Sequence, residues 1–184
     1  RAMILDCYPG AADLAREPMN ADLRRIDGLR ALGYWAPGSS PDLPQAHHFV
    51  DPSWNPDERD AVFAYLRLGE PVLLWKGYSW CRFNCGLVEQ DFDPITQEDI
   101  KRLFSDEEDL LPRARSRFPV APISLAELVR KLRAEPDTLG CACLSDGHFI
   151  WPEGLAHYVD KHFVRPPEEF VQHALHELSL HGVQ

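Results

Sequence analysis

The chain holds 184 residues, 45% of them hydrophobic and 26% charged, enough to bury a sizeable core without a disulfide framework or a metal merely to fold. With 19 Lys and Arg against 29 Asp and Glu, the formal charge is −10. That balance excludes a dedicated nucleic-acid binder and a protein that docks on anionic lipid, and no apolar run approaches the roughly 20 residues that cross a bilayer.

The opening, Arg1 to Asp6, lacks the long apolar segment of a secretory signal. A start at Arg1 rather than Met leads us to expect that a preceding segment is missing. Five cysteines, Cys7, Cys81, Cys85, Cys141 and Cys143, are an odd number and too few for a disulfide scaffold, so a reducing, cytoplasmic setting is expected.

Asn20 is placed to cap a helix over 21–32, with Leu23, Ile26, Leu29 and Leu32 at helical spacing and Gly33 as the stop. From Ala36 to Pro56 the prolines forbid a long helix or a central strand, so a surface-wrapping loop is expected, pinned by Trp35, Phe49 and Trp54. Asn55, Pro56 and Glu58 then form the clearest helix start in the chain. Val62, Phe63, Tyr65 and Leu66 supply its buried face, and Gly69 ends it. Residues 71–76 read as a buried strand. Thr96 caps a predicted helix over 97–104, and Ser124 with Glu127 makes a capping box before 125–133. Between those helices lies the acidic run Asp106, Glu107, Glu108 and Asp109. Leu139 to Leu144 and His148 to Trp151 flank Ser145-Asp-Gly147, a hairpin signal, and helices follow from Pro152 and after Pro167. The expected architecture is one α+β domain over 1–184. An N-terminal helix and Pro-rich wrapping loop occupy 1–54, and an α+β core of several helices on a small, mainly antiparallel sheet occupies 55–184.

Four constellations carry candidate chemistry. Cys81 and Cys85, three residues apart, and Cys141 and Cys143, one apart, each sit at a turn beside a predicted strand. Four thiolates brought together would suit tetrahedral zinc, although the spacings depart from the usual two-residue gap. The eight histidines include His157 and His162 on one predicted helix and His173, His176 and His181 on the next. None matches a zinc-protease order, and of these only His157 is expected to face the hairpin. Gly77-Tyr-Ser79-Trp-Cys81 after a strand imitates a nucleophile elbow, with Asp146 and His157 following in triad order. A small hydrolase or thiol enzyme using Ser79 or Cys81 with His157 is therefore an alternative. Around the hairpin, Trp80, Arg82, Asp146, Trp151, Glu153, His157 and Tyr158 group aromatic and charged residues. Arg82 is expected to pair with Asp146 or Glu153, and a partner-binding patch is the live functional reading of the group.

The run Cys81-Arg-Phe-Asn-Cys-Gly86, followed by Leu144 to Val159 with Trp151-Pro-Glu-Gly-Leu-Ala-His-Tyr158, resembles a set of small uncharacterised bacterial proteins. They share a Cys-Arg turn, an Asp-Gly turn and a Trp-Pro-Glu-Gly-Leu-x-His-Tyr helix start. The resemblance covers roughly 55–170, with 87–139 as an enlarged connection. It implies a bacterial origin and a cytosolic setting, and brings no activity with it.

The reading that best fits small size, acidity and the lack of a convincing catalytic set is an acidic protein-binding module, such as the immunity protein of a toxin. It would act on a basic protein, not on nucleic acid or a membrane. Its binding residues are expected among Trp80, Arg82, Asp106–Asp109, Trp151, Glu153 and His157. A regulatory zinc protein built on the four cysteines is the second alternative.

Overall fold

The computed structural model describes residues 24–26, 28–35, 45–74, 81–86, 118–119 and 121–184. Trp80, Ser79, the Asp106–Asp109 run, the helix expected over 97–104 and the stretch 36–44 of the wrapping loop lie outside them.

The expected α+β architecture holds. Strands β1 (Arg24–Ile26) and β2 (Leu29–Ala31) are followed by a turn of 3-10 helix (Ala46–Phe49), helix α1 (Pro56–Arg67) and β3 (Glu70–Leu74). Helix α2 (Leu125–Arg133), strands β4 (Ala142–Ser145) and β5 (Phe149–Pro152), and helices α3 (Leu155–His162) and α4 (Glu168–Leu180) complete the described elements. The five strands form one sheet in the order β1-β2-β5-β4-β3, antiparallel throughout except where β2 runs parallel to β5.

The first fifth of the chain corrects the sequence reading. Within the span of the expected helix over 21–32, Arg24–Ile26 and Leu29–Ala31 pair as a β-hairpin, with Arg25 opposite Arg30 and Gly28 at φ 86° between them. Asp27-Gly28 is among the strongest short hairpin signals, because glycine enters the left-handed region without a Cβ clash. That local demand outweighs a one-in-three leucine pattern, which a pair of short strands also satisfies.

The other element starts follow their caps. The Asn55 carboxamide accepts the backbone N–H groups of Asp57 and Glu58 at 2.8 and 3.2 Å, and the Ser124 hydroxyl accepts that of Glu127 at 3.3 Å. Helix α1 is the centre of the molecule. Its residues Ala61 to Leu66 are all buried, and it packs on α2, α3 and α4. Gly69, just after it, is required by close approach, since a Cβ there would lie 2.4 Å from the Trp151 ring.

Alternation along β4 and β5 divides the sheet's two faces. Leu144, Phe149 and Trp151 join the helices in the main core, while Cys143 and Ile150 join Ala31 in a small cluster of their own. The chain's end is sewn in by Leu125 N–H to Gln184 O at 2.7 Å and Gln184 N–H to Ile123 O at 3.2 Å. Among the described residues, no helix is long and apolar enough to cross a membrane.

Candidate metal centre

Two elements build the centre. Helix α3 starts after Gly154 and ends at Phe163, whose left-handed backbone (φ 57°) stops the helix and leaves His162 as its last residue. The turn Cys81–Gly86 lies against this end. Its Arg82 N–H donates to the Tyr158 hydroxyl at 3.0 Å, and the Phe83 ring stacks on His162 with centroids 4.3 Å apart. Asn84, also left-handed at φ 50°, bends the turn so that both of its cysteines meet the helix.

Four donors converge there: the thiols of Cys81 and Cys85 and the imidazoles of His157 and His162, one ligand atom of each lying within 4.8 Å of the others. Cys81 Sγ is 3.1 Å from His162 Nε2, Cys85 Sγ is 3.5 Å from His157 Nε2, and the two Nε2 atoms are 3.2 Å apart. Zn–S bonds of about 2.3 Å and Zn–N bonds of about 2.0 Å give a tetrahedron edges of about 3.3 to 3.8 Å. The donor atoms thus stand close to the corners of a zinc coordination shell.

The surroundings suit the same ion. His157 Nδ1 lies 2.9 Å from the Asp137 carboxylate, which fixes that nitrogen as the donor and turns the Nε2 lone pair toward the centre. A carboxylate behind an imidazole is the usual outer partner of a metal-bound histidine. The Phe83 N–H donates to Cys81 Sγ at 3.4 Å, a bond that favours the thiolate. Burial pushes the Cys81 thiol above its ordinary pKa. Burial also opposes charge on His157, but Asp137 outweighs it and the pKa is raised. Burial, then the neighbouring His157, holds His162 below its usual value.

The structure corrects the four-cysteine set. Cys143 belongs to the cluster with Ala31 and Ile150, where its thiol is 2.8 Å from the Tyr34 hydroxyl and is pushed by burial up to about 11. Cys81 packs in the main core with the helices. Cys141 is half-buried just before β4, and neither it nor Cys143 is among the clustered donors. Strand alternation separates the two cysteine pairs, and histidines supply the missing corners.

The aromatic patch is corrected too. Trp151 is fully buried and donates Nε1–H to the Leu66 carbonyl at 3.2 Å, so it is a core residue and not a contact surface. Glu153 covers Gly140, and its N–H bonds the Ala142 carbonyl at 2.9 Å. His157 is buried among the four clustered donors. The triad order fails as well: Asp146 is taken up by Tyr65 and His173, not by Arg82 or His157. His162 and Asp137 are the members that sequence reasoning missed. Residues five apart on a helix are about 140° apart around it, so the His157–His162 spacing does not mark one face. The available signal was a Cys pair in a turn with a His pair at a helix end.

Comparison of the chain with family models, curated proteins and solved structures returns no match.

Proposed function

We propose that this chain is an acidic interaction module stapled by one zinc ion, held by Cys81, Cys85, His157 and His162. The observation that carries the reading is the convergence of these four donors at near-tetrahedral separations, with His157 already oriented by Asp137. Four protein ligands leave no position for substrate or activated water, so the metal's role is architectural. It ties the Cys81–Gly86 turn to the end of α3. The charge of −10 supports a basic protein as the partner, and an immunity protein acting in the cytoplasm on a basic toxin fits that charge.

A second reading has one observation in its favour. The exposed Cys85, His157 and Asp137 stand in the order nucleophile, base and orienting carboxylate, at 3.5 and 2.9 Å. A thiol enzyme of that kind would replace the proposed Cys81–His157 pair, since Cys81 is buried and faces His162. It leaves the matching Cys81–His162 pair unexplained, whereas zinc accounts for both.

Elemental mass spectrometry of the full chain, combined with thiol alkylation, separates the two. The zinc reading expects about one equivalent per chain, with Cys81 and Cys85 protected until a chelator is added. A metal-free protein whose Cys85 alone alkylates rapidly would support the thiol enzyme. For the partner, association should slow severalfold between about 50 and 500 mM salt, where the Debye length shortens. Indifference to salt, or an acidic partner, would overturn that half of the reading.

A further inference from the structure

A second group of donors lies at the β4–β5 turn. Asp146 and His148 come from the turn and His173 from α4, and one ligand atom of each lies within 4.8 Å of the others. The carboxylate is set from behind. Asp146 Oδ1 accepts the backbone N–H groups of His148 and Phe149 at 2.8 and 2.7 Å, the geometry that closes the turn. Asp146 Oδ2 accepts the Tyr65 hydroxyl at 2.7 Å and faces His173 Nε2 at 2.8 Å. Burial pulls this carboxyl upward, but the four donors outweigh it and hold it below the usual range, so an anion stands ready.

The donors do not close on themselves. His148 is exposed and the His173 side chain is 19% exposed, and both line two adjoining grooves of about 310 and 420 Å³. Beyond them, Tyr65, Glu177 and His181 line one groove and Arg30 and Glu169 the other.

We infer that Asp146, His148 and His173 form a second site, for a first-row divalent cation, whose remaining coordination positions open onto these grooves. Two imidazoles and one carboxylate on a single side of an ion leave positions free for water or an anionic ligand, unlike the zinc staple. As a ligand, His173 is the neutral tautomer that carries its proton on Nδ1 and offers the Nε2 lone pair to the ion. Asp146 keeps the Tyr65 hydroxyl and the two backbone N–H groups as its outer partners, which hold the carboxylate in place for the ion. The site uses none of the staple's ligands and does not depend on that reading.

The test is titration of the metal-stripped full chain with Co²⁺, followed by absorption. One bound class is expected to show thiolate-to-metal charge transfer, from Cys81 and Cys85. A second class without that band is expected from the turn. His148→Ala, at an exposed position, should remove the second class while leaving the fold and the thiolate band intact. Tyr65→Phe should weaken the second class by about tenfold, as loss of an outer partner does. His47→Ala with His48→Ala, a neighbouring exposed pair elsewhere on the surface, should leave both classes unchanged. If only the thiolate class binds, the second site is overturned and the staple stands. If only the class without thiolates binds and His148→Ala removes it, the second site stands and the staple fails. A second class that survives His148→Ala and His173→Ala, or that the His47 and His48 changes abolish, overturns the proposal.

Discussion

The two histidine clusters differ in what stands behind and around their donors. At the end of α3, two thiols and two imidazoles converge on one point, and the Asp137 carboxylate stands behind His157. At the β4–β5 turn, a single carboxylate gathers four hydrogen-bond donors and presents its imidazoles to open grooves. The lesson is that donor count and enclosure, more than residue type, decide what a cluster can do. Four protein ligands around one point make a staple, and three on one side make a platform. The first cluster bridges a turn and the end of a helix. The second rests on a turn already fixed by its own backbone.

The largest expected effect breaks that contrast at its stronger end. Removing zinc from the first cluster, by chelation or by His162→Ala, should cost about 4 kcal/mol where free zinc stands a thousandfold above its dissociation constant. Urea denaturation with and without chelator checks this. His148→Ala should cost less than about 0.5 kcal/mol in the same assay, as an exposed residue away from the core.

Tyr65→Phe removes a donor from an ionised, buried carboxylate and should cost about 1.5 to 3 kcal/mol, read from the same urea midpoints. The loss should depend on pH. The folded Asp146 carboxyl lies below its unfolded value, so its stabilisation is present above about 3.9 and fades as pH falls through the lowered folded value. An acid titration in which wild type loses stability there and Asp146→Asn does not would confirm the assignment.

Asp137→Asn sharpens the comparison from the other side. It should leave the fold intact and weaken zinc by about 10- to 100-fold, measured by competition with a chelating dye. A modest effect is expected at Ser145, whose hydroxyl donates to the Phe149 carbonyl at 2.7 Å beneath the second cluster. Ser145→Ala should cost about 1 kcal/mol and leave zinc content unchanged.

Much of the fold was legible because local chemistry and tertiary packing agree. Asn55-Pro56, Ser124 with Glu127 and the Ser145-Asp-Gly147 turn each satisfy backbone groups that any packing must satisfy. The β1–β2 hairpin was missed because Leu23, Ile26, Leu29 and Leu32 fit a helix as well, and the left-handed Gly28 between the strands decided the matter. The candidate metal centre was half legible. The Cys81–Cys85 pair marked a candidate ligand turn, but its partners depend on which face of β4 a side chain takes. Cys143 lies on the other face, with Tyr34, and the histidines at the end of α3 fill the corners instead. Trp151 looked like a contact residue because tryptophan is common in interfaces, and its burial follows from Gly69 making room for the ring.

X-ray absorption at the zinc edge of the purified full chain tests the central claim most directly. Two sulfur neighbours at about 2.3 Å and two nitrogen neighbours at about 2.0 Å are expected, with Cys81→Ser removing one sulfur. Four sulfur neighbours, a shell of nitrogen and oxygen alone, or protein that takes up no zinc would contradict it.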